Sequence, residues 1–146
     1  MQLEVKIDSS YIEPKVIILT ASMTEDVNII LSKLLNQTSQ IISGSKDNKI
    51  EVIEQADLIR IYASNGKVIA ATRKGEYALR LRLYEIEERL PPHQFVRISN
   101  SEIINLKNVN SFDFSLSGTI CVKLADGTAT YVSRRYVSKL KKILGI

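Results

Sequence analysis

Two stretches of this chain carry side chains suited to gripping a phosphate or reading the edge of a base. One is Arg134-Arg135 in the closing TATYVSRRYVSKLKKILGI; the other is Phe95-Val96-Arg97-Ile98-Ser99-Asn100-Ser101. In the first, Thr128 to Val132 reads as a strand. Ser133 is a good helix N-cap, and an amphipathic helix follows. A helix start carries partial positive charge and favours Asp or Glu, so two arginines there oppose the macrodipole by roughly 0.3–1 kcal/mol each. With backbone N–H groups they make a ready anion site, and an arginine there can reach guanine O6 and N7 in a DNA major groove. In the second stretch, Asn100 is of the type that pairs bidentately with adenine N6 and N7. Ser99 and Ser101 are hydroxyls suited to phosphate.

Enzyme chemistry finds little support. The single histidine, His93, follows two prolines with no cysteine near it and no metal-ligand spacing. Ser43-Gly44-Ser45-Lys46 has the S-x-x-K spacing of serine acyl-enzymes but none of their other motifs. There is no phosphate loop of the G-x-x-x-x-G-K or G-x-G-x-x-G type, and the carboxylates are scattered. The expectation is a chain that is not an enzyme and needs no metal or cofactor. Asn36-Gln37-Thr38 is a glycosylation sequon only on a secreted chain. The lone Cys121 lies in the strand-like Ile120 to Leu124 and cannot form an internal disulfide.

The elements that must hold these residues follow from patterning. With 146 residues, 45% of them apolar, the chain can bury a real core. Its longest aliphatic run, Val16 to Leu19, is far short of the roughly 20 residues of a membrane span, and no secretory signal opens it, so a cytoplasmic location is expected. The net charge of +4 is unevenly spread: residues 1–42 hold three lysines against five carboxylates, whereas residues 60–82 and 121–146 each hold six cations and one acid. Two basic clusters suggest surface patches.

Residues 1–42 read as strand, strand, helix. Leu3, Val5 and Ile7 alternate, Lys15 to Ala21 is a second β-prone run, and Ser22 with Glu25 is a capping box before a stripe of Val27, Ile30, Leu31, Leu34 and Leu35. ISGSKDNK, residues 42–49, reads as a connector. Beyond it come strands at Ile50 to Glu54, Leu58 to Ala63, Lys67 to Thr72 and Glu76 to Leu83, with Asn65-Gly66 as a type I′ hairpin signal. Leu83, Ile86 and Leu90 mark a short helix that Pro91-Pro92 ends, and Phe95 to Ile98 is strand-like. Ser99 to Glu102 reads as a capping box opening a helical turn, IINL. Phe112, Phe114 and Leu116 alternate, and Asp126-Gly127 turns the chain into the last strand and a helix whose apolar side is Tyr136, Val137, Leu140, Ile143 and Leu144.

The order and spacing of LYEIEERL, FVRISNSEIINL, LADGT and YVSRRYVSKLKK, over about residues 45–146, resemble the LytTR-type DNA-binding domain of bacterial transcription regulators. The resemblance implies a mainly β fold, α+β overall, of antiparallel strands with short helices. It also implies DNA recognition by loops and turns that enter successive major grooves. By motif position it places base contacts at Asn100 and Arg135, with Lys67 the choice for a third from the loop before the second hairpin strand; phosphate contacts are expected from the residue chemistry at Arg97, Ser99, Ser101, Arg134, Lys139 and Lys142. Ser99 stands where the family more often has histidine in its R-x-H turn. The domains expected are residues 1–42, with a dimerisation or regulatory role, and the DNA-binding domain, 43–146. The N-terminal part is too short for the receiver domain of response regulators, so the chain resembles a stand-alone regulator. Its implied partners are double-stranded DNA, a second copy on adjacent half-sites, and a small inhibitory membrane protein. The alternative reading is a β-rich interaction module whose basic helix binds an acidic protein or a membrane surface. An RNA binder is a third reading, disfavoured because the chain lacks the aromatic-plus-basic strand motifs that stack bases.

Overall fold

A computed structural model describes residues 1–35, 41–115 and 118–146. The chain divides into two compact units, Met1–Thr38 and Ser39–Ile146. The first contains helix α1, Glu25–Leu35. The Thr24 hydroxyl caps it, accepting from the Val27 amide at 3.4 Å, so the cap is Thr24 and not the expected Ser22. Val27 is its buried stripe residue. Leu35 of the expected stripe has no described side chain. The sequon and Leu116 also lie outside the described residues.

The two strands expected before α1 do not form in the single chain. Among the described residues no ladder involves 1–24. A strand needs a hydrogen-bonded neighbour, and a lone hairpin is marginal in water.

Among its described residues the second unit holds ten strands: β1 Ile42–Lys46, β2 Lys49–Ile53, β3 Leu58–Ser64, β4 Lys67–Thr72, β5 Gly75–Leu79, β6 Phe95–Ser99, β7 Glu102–Asn105, β8 Val109–Asp113, β9 Ile120–Leu124 and β10 Ala129–Val132. Helix α2, Leu83–Arg89, precedes β6, and α3, Arg134–Leu144, follows β10. The strands make a seven-stranded sheet in the order β2-β1-β5-β4-β3-β7-β6 and a three-stranded sheet, β10-β9-β8. Every pairing is antiparallel. The fold is thus mainly β with short helices, as the patterning indicated.

Residues 42–49 are not a connector. They are β1, the turn Asp47-Asn48 and the start of β2, with Ile42 opposite Ile53 and Lys46 opposite Lys49. Asp47 and Asn48 take positive φ, 51° and 63°, the conformation that a two-residue type I′ hairpin demands. Gly44 is small because β1 lies hard against its neighbour: a β-carbon there would come within 2.7 Å of Tyr77 Cβ. Lys46 of the S-x-x-K stretch donates to the Lys74 carbonyl at 2.7 Å and is committed to the hairpin.

Two cores flank the larger sheet. Leu58, Ile61, Tyr77, Phe95 and Ile103 pack with Leu83, Ile86 and Leu90 of the α2 region on one side. Ile59, Val96, Ile98 and Ile104 pack with Val122, Leu124, Val132 and Leu140, and so with the smaller sheet and α3, on the other. Strands β6 and β7 are therefore covered on both faces. This explains why EIINL, expected as a capped helical turn, is a strand: Ile103 feeds one core and Ile104 the other, so alternation disappears from the sequence. Glu102, expected to cap a helix, instead accepts from Arg60 at 3.1 Å and from the Thr130 hydroxyl at 2.6 Å.

Candidate nucleic-acid interface

Asn100 stands on a tight turn between β6 and β7, not on the first turn of a helix. The turn is held from its backbone. Arg97 donates through Nε to the Ser99 carbonyl at 2.7 Å and through Nη2 to the Asn100 carbonyl at 2.6 Å. Its Nη1 donates to Glu87 Oε1 on α2, also at 2.7 Å. Ser101 N donates to Ser99 Oγ, and the two serine hydroxyls lie 3.3 Å apart. On the far side, Ala63 N at the end of β3 donates to the Ser101 carbonyl at 2.8 Å. With its main chain clasped in this way, the turn leaves Asn100 and Ser101 exposed and Ser99 half-buried.

The start of α3 is brought to this turn. Ser133 N donates to the Ile98 carbonyl at 2.8 Å, and Tyr136 Oη donates to Asn100 Oδ1 at 3.0 Å. Ser133 occupies the N-cap position but its side chain makes no cap bond. Leu140 is fully buried, with Tyr136, Val137, Ile143 and Leu144 packed on the same core. That docking turns Arg134, Arg135, Lys139, Lys141 and Lys142 outward, all exposed. The helix ends at Gly145, whose φ of 75° suits a left-handed cap.

Lys67 is exposed just past the Asn65-Gly66 turn, opposite Ser64. Strand β3 lies between β4 and β7, so this hairpin tip and the Asn100 turn emerge from the same end of the sheet. At about 4.8 Å per strand spacing, the two lie on the order of 10 Å apart. The structure therefore gathers Lys67, Ser99, Asn100, Ser101, Arg134 and Arg135 at neighbouring ends of strands and helix. Lys139 and Lys142 continue along α3.

Arg97 is the exception among the expected phosphate ligands. All three of its guanidinium nitrogens donate within the protein, and its side chain is 13% exposed.

Several supporting residues were not singled out from sequence. Asn105 and Asn108 both donate to the Leu58 carbonyl, at 2.8 and 2.7 Å, where β3 carries a bulge. Asn105 Oδ1 also accepts from Lys107 N at 3.0 Å. Asn105 lies in the FVRISNSEIINL stretch that carries the family resemblance, so its position was visible although its structural task was not. The Arg60–Glu102–Thr130 chain ties β3 and β7 to β10, and Arg60 lies 4.2 Å from the centre of the Tyr62 ring. Burial, then a hydrogen bond to Glu76, pushes the Tyr62 phenol above its ordinary value. The phenol therefore remains a neutral donor at physiological pH. Nothing in the sequence announces these long-range pairs.

The model of the LytTr DNA-binding domain matches residues 48–145, and thus nearly the whole second unit. The chain belongs to the LytTr DNA-binding domain family. Over 147 aligned residues it is 35% identical to an uncharacterized HTH-type transcriptional regulator of Staphylococcus aureus strain bovine RF122 / ET3-1, covering 100% of this chain and 99% of that protein. A counterpart in strain NCTC 8325 / PS 47 is 34% identical with the same coverage. The fold is similar to that of a LytTr DNA-binding domain from Bacillus cereus, with a TM-score of 0.69 and 20% identity over 73% of this chain and 97% of that one. In this LytTr domain the exposed Asn100, Lys67 and Arg135 sit on a β-turn, a hairpin tip and a helix start. No helix among the described residues is long and apolar enough to cross a membrane.

Proposed function

We propose that this LytTr protein is a non-enzymatic, sequence-specific DNA-binding transcription regulator acting in the cytoplasm. It reads bases through Lys67, Asn100 and Arg135 in successive major grooves. Ser99, Ser101, Arg134, Lys139 and Lys142 hold phosphates and make the affinity salt-dependent. The observation that carries this reading is the hydrogen bond from Tyr136 Oη to Asn100 Oδ1, which joins the polar turn to the arginine-bearing helix start. It orients the amide while leaving its Nδ2 free to donate and Oδ1 with a second lone pair, as adenine N7 and N6 require. Arg97 then acts as a positioning residue: its fork fixes the turn from which Asn100 projects. Two copies occupy adjacent half-sites.

Selection of bound sequences from random duplex DNA tests the reading. An enriched motif with two half-sites is expected. Binding without any enriched motif would instead favour a basic module for acidic partners.

A further inference from the structure

We propose that residues 3–7 are a self-association surface through which two copies of this chain pair as an antiparallel ribbon centred on Val5. The segment is unusually bare in the single chain. Leu3, Val5 and Ile7 are 92%, 76% and 97% exposed, and among the described residues the only main-chain hydrogen bond within 1–24 runs from Tyr11 N to the Asp8 carbonyl. An alternating apolar strand with unpaired backbone groups is a template for another strand.

The partner follows from the order of the residues. In Leu3-Glu4-Val5-Lys6-Ile7, an antiparallel pair about Val5 sets Leu3 opposite Ile7 and Glu4 opposite Lys6, twice over by symmetry. A parallel pair would set Glu4 beside Glu4 and Lys6 beside Lys6, so the charges select the two-fold arrangement. Leu3, Val5 and Ile7 of both copies then share one face and the four charges the other. Within one chain Lys6 Nζ and Glu4 Oε1 make a long, highly exposed ion pair at 4.0 Å, which water screens so strongly that exchanging it for a partner's charges costs little. A different protein would impose no such mirror relation about one valine. Val16, Ile17 and Leu19, at 66%, 67% and 92% exposure, supply each copy with further apolar surface to cover the ribbon. This is needed because an isolated two-stranded ribbon is marginal.

The inference does not depend on the DNA reading. It is tested by sedimentation equilibrium of the full chain, with binding to a single DNA half-site followed in parallel. Wild type is expected to dimerise. Glu4→Lys and Lys6→Glu each create two like-charge pairs and should weaken the dimer about tenfold. An equimolar mixture of these two variants should regain wild-type association, since one chain then carries only lysines at the two positions and the other only glutamates, and opposite charges meet in every pair. The double variant, in which the two charges simply exchange places, should associate like wild type for the same reason. Val5→Glu, which sets two carboxylates across the axis, should give monomers. A monomeric wild type, single variants that dimerise as tightly as wild type, or a mixture no tighter than its components would each overturn the proposal. Unchanged half-site binding by all variants is expected, and its loss in wild type would count against the DNA reading alone.

Discussion

Tyr136, in the first turn of α3, donates its phenolic hydrogen to the amide oxygen of Asn100, 36 residues earlier in the chain, at 3.0 Å. The bond links two surface elements that share no strand pairing. Because both groups are solvent-accessible, it contributes little to stability, on the order of 1 kcal/mol. Its value is in fixing which way the amide points. Tyr136→Phe should therefore leave the midpoint of urea unfolding within about 1 kcal/mol of wild type. It should nonetheless reduce discrimination at the base position that Asn100→Ala also relaxes. Competition binding with single-base variants of the selected site measures this, and unchanged discrimination would remove the orienting role.

Arg135 and Lys142 sit on one helix face but are expected to behave differently. Arg135→Ala should lose roughly 1–3 kcal/mol at the cognate site and relax one position of specificity. Lys142→Ala should weaken all duplexes about equally and lower the salt slope by about 1. Titrations at several salt concentrations on cognate and scrambled duplexes separate the two. If Arg135→Ala bound every duplex as tightly as wild type, its assignment would fail.

Arg97 offers a sharper contrast, because a phosphate ligand and a positioning residue predict different salt behaviour. Arg97→Ala leaves the Ser99 and Asn100 carbonyls without their donor and should destabilise the fold by about 1–3 kcal/mol. Specificity should fall while the salt slope stays at its wild-type value. Arg97→Lys should not restore specificity, since an ammonium lacks the planar fork that spans two carbonyls and Glu87. A slope lowered by about 1 would identify a phosphate contact instead.

Asn105 is fully buried and bonds at both ends of its amide. Asn105→Ala strands the Lys107 amide and opens a small void. The expected loss is about 2–3 kcal/mol in unfolding free energy. Asn108 is likewise bonded at both ends, its Oδ1 accepting from Arg73 Nη2 at 2.8 Å, so Asn108→Ala should cost a similar amount, each asparagine continuing to serve the Leu58 carbonyl when the other is gone. The double variant should lose more than the two single losses together, because only then does the Leu58 carbonyl lack both donors; strictly additive losses would show that the two do not share it.

Local pattern alone determined a good part of this protein. The Asn65-Gly66 hairpin, the α2 helix stopped by Pro91-Pro92, and the amphipathic α3 with its basic outer face all depend on neighbours a few residues apart, and all are present. The motif order from LYEIEERL to YVSRRYVSKLKK was enough to indicate the family. Other features depended on partners distant in the chain. EIINL became a strand because both of its faces are buried, so no period marks it. The glycine and serines of ISGSK suggested a connector, yet Gly44 is there to let β1 approach Tyr77. The role of Arg97 was decided by Glu87 and two carbonyls of its own turn, and the aim of Asn100 by Tyr136. Residue types and short spacings thus marked which side chains are candidates for contacting DNA. Only tertiary structure decided which are free to do so, because a guanidinium or an amide is committed or available according to what long-range packing sets beside it.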